Sequence, residues 1–284
     1  MHSTASDGTQ TPAQMAQECQ KAGLTHAALT DHDCITGVQE FLAEAEKLGV
    51  QAIPGVEFSV KYPGELHILG YGVNLEHEQF AKTCRMLAER RETRAQEMAE
   101  KLCRAGYEIS LRAIRSHAGG NLIGRPHIAA ELVQKGYAAD ISDAFARFLN
   151  RGGAGFVERF RLGEEETIAL IHAAGGKAVW AHPKLAYAEN FPAMLDRLTA
   201  EGLDGIEAFY PLHTDEECAY FAQEGQKRGL LLSQGSDAHG AFRPGTFVGK
   251  ERRGGEAVAP SVQILFANGQ KQLKKQRPCG MIRK

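Results

Sequence analysis

Along this 284-residue chain, one apolar segment after another ends in a short string of histidine and carboxylate. HSTASDG brings His2 and Asp7, TDHD brings Asp31, His32 and Asp33, and PGVE brings Glu57. HILG brings His67, AHP brings His182, and GSDAH brings Asp237 and His239. The apolar runs before or around these strings (residues 25–33, 50–60, 65–73, 177–183, 203–211 and 230–240) read as strands. Most are separated by segments of helical spacing: 12–22, opening on Pro12 and closing before Gly23, then 37–49, 164–176, 191–202 and 214–229. Strands alternating with helices of about a dozen residues predict an α/β chain with a parallel sheet and helical crossovers. A closed or partly closed βα barrel follows, and such barrels carry their chemistry at the C-terminal strand ends.

The alternation breaks between residues 76 and 159. EHEQFAKTCRMLAERRETRAQEMAEKLCRAG reads as one long helix or two, and HIAAELVQKG and SDAFARFLN as shorter ones between the breaks GGNLIG and RGGAG. The expected organisation is a barrel from 1–75 and 160–249, a helical insertion over it at 76–159, and a basic tail at 250–284. The tail holds nine basic residues against Glu251 and Glu256; SVQILFANG within it is a last strand or a short helix, and the residues after it read as a solvated basic end.

Composition excludes several classes. At 43% hydrophobic residues the chain is not mainly disordered, and a net charge of −2 excludes holding nucleic acid by bulk charge alone. No apolar run reaches membrane-spanning length and no charged-then-apolar leader precedes the first motif, so a cytoplasmic protein without a membrane partner is expected. The six cysteines are scattered without a C-x-x-C pair, which argues against a disulfide framework or zinc ribbon. Imidazole and carboxylate without thiolate suit Zn²⁺, Mn²⁺ or Fe²⁺. Eight such groups exceed one ion's needs, so two or three ions sharing a bridging carboxylate are expected. Isolated histidines such as His26, His77, His117 and His172 read as ordinary surface or core residues.

In order and spacing, HSTASDG, TDHD, GVE, HILG, AHP and GSDAHG resemble the PHP (polymerase and histidinol phosphatase) family. The closest likeness is to its nucleotide phosphatase and 5′-3′ exoribonuclease branch. The resemblance implies a distorted (β/α)7 barrel with a helical insertion subdomain and a trinuclear centre, most often manganese, with Zn²⁺, Fe²⁺ or Mg²⁺ as alternatives. It also implies the metal ligands: His2, Asp7, His32, Glu57 as bridge, His67, His182, Asp237 and His239. The family motif is H-x-H after an apolar strand, and Met1 stands here at the x. The expectation is a start lying further upstream, so that restoring those residues raises the metal bound per monomer; the other reading is a copy without that ligand.

The activity so implied is hydrolysis of phosphate mono- or diesters by a metal-activated hydroxide, with Glu57, Asp237 and His239 as catalytic residues. Expected substrates are 3′,5′-bisphosphonucleotides, 5′-nucleotides or short RNA trimmed from its 5′ end. Histidinol phosphate is the alternative within the class, and a degenerate barrel that binds RNA or protein without catalysis the alternative outside it. GRPH places Arg125 and His127 at a helix start, where both suit a phosphate, though a plain helix cap is the other reading. His213, just past a strand end, is a further candidate for substrate phosphate. Arg90, Arg91 and Arg94 read as solvated partners of Glu89, Glu92 and Glu97, and the insertion as mildly cationic, with 14 basic and 11 acidic residues. Asp31 and Asp33 remain unranked as supports for His32. Oligomeric state is not legible.

Overall fold

A computed structural model of the chain describes residues 1–118, 122–250 and 254–276. The first half runs α1 (Pro12–Lys21), β1 (His26–Leu29), α2 (Val38–Lys47), β2 (Gln51–Ser59), β3 (His67–Tyr71) and α3 (Glu78–Arg104). Next come α4 (Leu111–His117), α5 (Arg125–Gln134), α6 (Ile141–Ala144) and a π-helical turn at Phe145–Leu149. The second half runs α7 (Glu164–Ala173), β4 (Lys177–Ala181), α8 (Phe191–Ala200), β5 (Gly205–Phe209), α9 (Asp215–Lys227), β6 (Leu231–Gln234) and α10 (Gly255–Gln276). Local chemistry sets several of the boundaries. At α1 the Thr11 hydroxyl accepts from Gln14 N, the Gln14 side chain returns to the Thr11 backbone, and Pro12 opens the first turn. Gly23 then ends the segment at φ 69°, where a residue with a Cβ is disfavoured.

The six strands form one mixed sheet in sequence order, curled into a half-barrel. This revises the all-parallel expectation. β1–β2, β4–β5 and β5–β6 are parallel, whereas β3 is antiparallel to both neighbours. The physical reason is the connection. β2 and β3 are joined by a seven-residue turn around Pro63 and Gly64, too short for a helical crossover. The reversal matters for the site, because His67 opens β3 and pairs with Ser59 and Ala181, the last residues of β2 and β4. A residue at the start of β3 therefore reaches the rim where its neighbours end. The backbone of Met1–His2 lies between β1 and β6, with Thr30 N bonded to Met1 O and His2 N to Ala238 O.

One face of the sheet packs Val56, Phe58, Ile68 and Trp180 against the outer helices, with Leu195, Leu198 and Phe221 among their partners. The other, concave face receives α10: Leu265 and Phe266 pack with Ile53, Leu69, Tyr71 and Val179. Of the strand and the short helix open for SVQILFANG the structure takes helix, and that helix runs on to Gln276 through residues expected as a solvated basic end. Lys271 and Lys274 are exposed on it, while Gln272 is buried and bonds Gly175 O. Residues 277–284, and so the last basic residues, lie outside the described residues. Between β3 and β4, α3 is a single helix, and α3–α5 with the π-helical turn share their own core of Met98, Leu102, Ile114, Ile128, Leu132 and Phe148. α4 falls on residues left unassigned by the sequence reading, and part of GGNLIG lies outside the described residues. No described helix is long and apolar enough to cross a membrane.

Candidate metal centre

Glu57 lies at the end of β2 with its side chain on the concave face, 2% exposed, and four imidazoles surround it. Its Oε1 lies 2.7 Å from His67 Nδ1 and 2.9 Å from His182 Nε2; its Oε2 lies 2.9 Å from His2 Nε2 and 3.6 Å from His32 Nδ1. His2 Nε2 is also 3.1 Å from Asp237 Oδ1, and His239 Nε2 is 3.6 Å from Asp7 Oδ1. The rings crowd one another, His2 stacking on His239 at 4.1 Å between centroids. Three sets of ligand atoms converge tightly: His2, Asp7, His32 and His239; His32, Glu57 and His67; His2, Glu57 and Asp237. His182 joins them through Glu57 and through His67 Nδ1, 3.2 Å from its Nε2. All eight positions expected from the strand-end strings thus meet at one rim.

This donor set fits divalent cations. His2 Nε2 has two carboxylate oxygens close by and aligns as a hydrogen bond to neither, and the buried Nδ1 atoms of His2, His32 and His182 lack hydrogen-bond partners. Buried polar atoms without partners are uncommon, and converging imidazoles around a shared carboxylate are what a cation satisfies. The electrostatics agree. Burial pulls the His2 pKa down, but Asp237 and Glu57 outweigh it and raise it to about 9. Burial acts likewise on His182, and Glu57 raises it to about 9. Burial pushes Asp7 up, yet Arg91 and His239 hold it near 2; Glu57 and Asp237 lie well below the carboxylate range against the same penalty, held there by the histidines. The carboxylates are ionised, while burial lowers His32 and His239 and favours their neutral forms.

Loops bring these groups in. Asp31 accepts Ser3 N, Ser3 Oγ and Ser6 Oγ, and so holds the loop that carries His2 and Asp7. Asp33, at φ 52°, accepts Ser59 N and pairs with Arg91 and Arg159. The two aspartates therefore differ in role, Asp31 shaping the loop of His2 and Asp7 and Asp33 tying the sheet to Arg91 of α3 and to Arg159.

Next to the cluster opens a cavity of about 650 Å³, lined by Asp7, His32, His67, His182, Asp237 and His239. Arg91, Arg94, Arg125, Arg159 and Arg243 line it too, Arg243 paired with Asp237 and Arg91 3.7 Å from Asp7, beside an apolar wall that includes Met98, Ile123, Phe145 and Phe242. The sequence reading of Arg91 and Arg94 is corrected here. Arg91 faces Asp7 and Asp33, Arg94 donates to Val157 O, and Glu92 pairs with Arg115 instead. Arg90 alone faces outward, over the Phe160 ring at 4.2 Å. Burial first, then the neighbouring guanidiniums, lower Arg94 to about 9 and Arg159 to about 10. Arg159 and Arg243 were missed; no local pattern marks them, although the i, i+3 spacing of Arg91 and Arg94 was visible.

Arg125 reaches the cavity, with its guanidinium 4.9 Å over Phe145. His127 does not. Its Nδ1 accepts Gly124 N at 2.8 Å and its ring packs edge-on behind Phe242, which fits the capping alternative. His213 is also corrected as a phosphate contact: it does not line the cavity, being buried against Tyr210 and Phe221 with Nδ1 bonded to Ala208 O. A strand-end position alone does not set the direction of a side chain, and His213 turns outward.

Half-barrel, rim cluster and arginine wall define a phosphoesterase class that comparison bears out. Residues 1–153 match the PHP domain. The 5′-3′ exoribonuclease Rnm of Escherichia coli is 33% identical over 246 residues, covering 84% of this chain and 83% of that protein. The 3′,5′-nucleoside bisphosphate phosphatase of Chromobacterium violaceum is 32% identical over 254 residues, covering 87% and 88%. A structure from Bifidobacterium adolescentis, assigned as a metal-dependent phosphoesterase, superposes with TM-score 0.84 at 27% identity over 94% of each chain. The chain belongs to the PHP domain family, and with it to the metal-dependent phosphoesterases.

Proposed function

We propose that this protein hydrolyses phosphate esters of nucleotides, with 3′,5′-bisphosphonucleotides first, and 5′-nucleotides and short RNA trimmed from its 5′ end in the same class. The single observation that supports this most is the shared cavity, lined together by the histidine–carboxylate cluster, by guanidiniums and by an apolar wall. A nucleotide needs both: anion contacts for its phosphates and an apolar surface for its base. Histidinol phosphate carries an amine, which the same guanidiniums repel.

In this reading His2, Asp7, His32, Glu57, His67, His182, Asp237 and His239 would hold two to three divalent cations, Mn²⁺ being the one proposed, with Glu57 as the residue proposed to be shared. Bound cations supply Lewis acidity, lowering the pKa of water and drawing negative charge off phosphoryl oxygens. The chain's own groups do the rest. Arg125 and Arg91 orient the phosphate by forked N–H donors, and Arg94 and Arg159 take further negative charge. Asp237 and His239 stand at the rim as the candidates for proton transfer. Residues 76–159 act as a cap that brings Arg91, Arg94, Arg125 and Arg159 over the centre. The half-barrel is read as a distorted (β/α)7 barrel, with Met1–His2 between β1 and β6.

The test is phosphate release, with Mn²⁺ present, from a panel of bisphosphonucleotides, mononucleotides, oligoribonucleotides and histidinol phosphate. Turnover of the nucleotides above histidinol phosphate is expected. Preference for histidinol phosphate, or RNA binding without release, would overturn the reading.

A further inference from the structure

Beneath the cluster, on the concave side of β5, Glu207 is buried at 4% exposure and takes no part in the chemistry above. Its Oε2 accepts the backbone N–H of His182 at 2.8 Å. His182 follows β4 directly and sits at φ 30° and ψ 62°, a left-handed conformation that residues with a Cβ avoid unless their surroundings hold them. In that conformation its Nε2 meets Glu57 Oε1 and His67 Nδ1 at 2.9 and 3.2 Å. Glu207 is itself fixed from two sides. The β5–β6 register shifts between Glu207 and Phe209, an irregularity of the kind that re-aims side chains. Gly235 leaves its Oε1 room, since a Cβ there would lie 2.0 Å from that oxygen.

We propose that Glu207 is a positioning residue of the metal centre: its carboxyl group clamps the His182 N–H, holds the left-handed turn after β4, and thereby aims the His182 imidazole at the place shared by Glu57 and His67. Burial raises the Glu207 pKa to about 7, but a carboxyl group accepts this bond through one oxygen in either state, so the clamp does not depend on ionisation. The inference rests on reading the cluster as a metal centre, and the test separates the two.

The experiment is calorimetric titration of the metal-free protein with Mn²⁺ alone, alongside circular dichroism and thermal melting. It uses the wild type, Glu207→Leu, Glu207→Gln, Gly235→Ala, His182→Ala and the Glu207→Leu/His182→Ala double variant. Glu207→Leu should weaken Mn²⁺ binding about 10- to 100-fold with a native spectrum, the range seen when a group supporting a ligand is lost. Gly235→Ala, which displaces the carboxylate without deleting it, should do the same, and Glu207→Gln, which keeps an accepting oxygen, should stay within about threefold of wild type. On the His182→Ala background, Glu207→Leu should add nothing. Wild-type protein that takes up no Mn²⁺ defeats the metal-centre reading itself. Wild-type affinity in Glu207→Leu and Gly235→Ala, or an undiminished effect on the His182→Ala background, overturns the positioning role. Should Glu207→Leu fail to fold, Gly235→Ala decides, and tight binding there overturns the proposal.

Discussion

Arg94→Met offers a test in which stability and function move in opposite directions. Arg94 lies among Arg91, Arg125 and Arg159 at the cavity, and its one described hydrogen bond runs from Nε to Val157 O. Burial and neighbouring guanidiniums bring its pKa from 12.5 to about 9. At about 1.4 kcal/mol per pKa unit, keeping it charged there costs about 5 kcal/mol. Screening by solvent at the cavity mouth and the lost bond to Val157 cut the recoverable part to about 1–3 kcal/mol, in keeping with buried charges replaced by apolar groups. The variant should therefore resist urea better than wild type by about 1–3 kcal/mol. An anionic substrate should meanwhile lose a charge-assisted bond worth about 1.5–3 kcal/mol, a rise in KM of about 10- to 150-fold. Urea unfolding followed by circular dichroism and steady-state phosphate release measure the two halves. An Arg94→Met protein that is less stable than wild type, with KM unchanged, would refute the idea that this guanidinium is held at a cost for the substrate.

Three further outcomes follow from the same geometry. Glu57→Gln, at the point where four imidazoles meet, should lower phosphate release by about 100-fold or more and reduce bound metal by elemental analysis, with an unchanged far-ultraviolet spectrum; full turnover speaks against a bridging role. Leu265→Ala in α10 should cost about 2–5 kcal/mol in urea unfolding, because Leu265 packs against the concave face of the sheet; a loss below about 1 kcal/mol would place that helix outside the core. Burial lowers the His127 pKa to about 4, below its unfolded value near 6.5, so its neutral form is the native one. Its stabilising effect is complete above the unfolded pKa and falls as pH drops, by about 2 kcal/mol at pH 5. Measured against His127→Asn, the wild type should therefore lose about 2 kcal/mol of relative stability between pH 7.5 and 5, and a pH-independent difference would contradict this.

The histidine–carboxylate cluster was legible because most of its members sit in a short string beside an apolar run, and strands deliver such strings to a common rim; His2 and Asp7, with no such run before them, were placed by the family resemblance of HSTASDG. Even His67 was found, although the reason differs from the one read in the sequence: it opens an antiparallel strand rather than closing a parallel one. Side-chain direction was less legible. His213 and His182 both lie past strand ends, yet one turns outward to Phe221 and the other inward to Glu57; His182 follows β4 directly in a left-handed conformation, whereas His213 stands four residues beyond β5. The arginine wall was hidden for another reason. Arg91 meets Asp33 across 58 residues and Arg159 meets it across 126, contacts that no local pattern encodes, whereas nearby glutamates offered a plausible solvated pairing. In α10, Lys271 and Lys274 drew the reading of the last residues toward solvent, and both are exposed, while Gln272 between them is buried.

Anomalous X-ray diffraction from crystals of the protein equilibrated with Mn²⁺ tests the metal centre most directly. Two to three anomalous peaks are predicted, each within coordination distance of nitrogen or oxygen atoms of the rim cluster, with Glu57 touching at least two of them. Mn²⁺ peaks elsewhere on the molecule, or none at the rim in protein that still releases phosphate, would contradict the account.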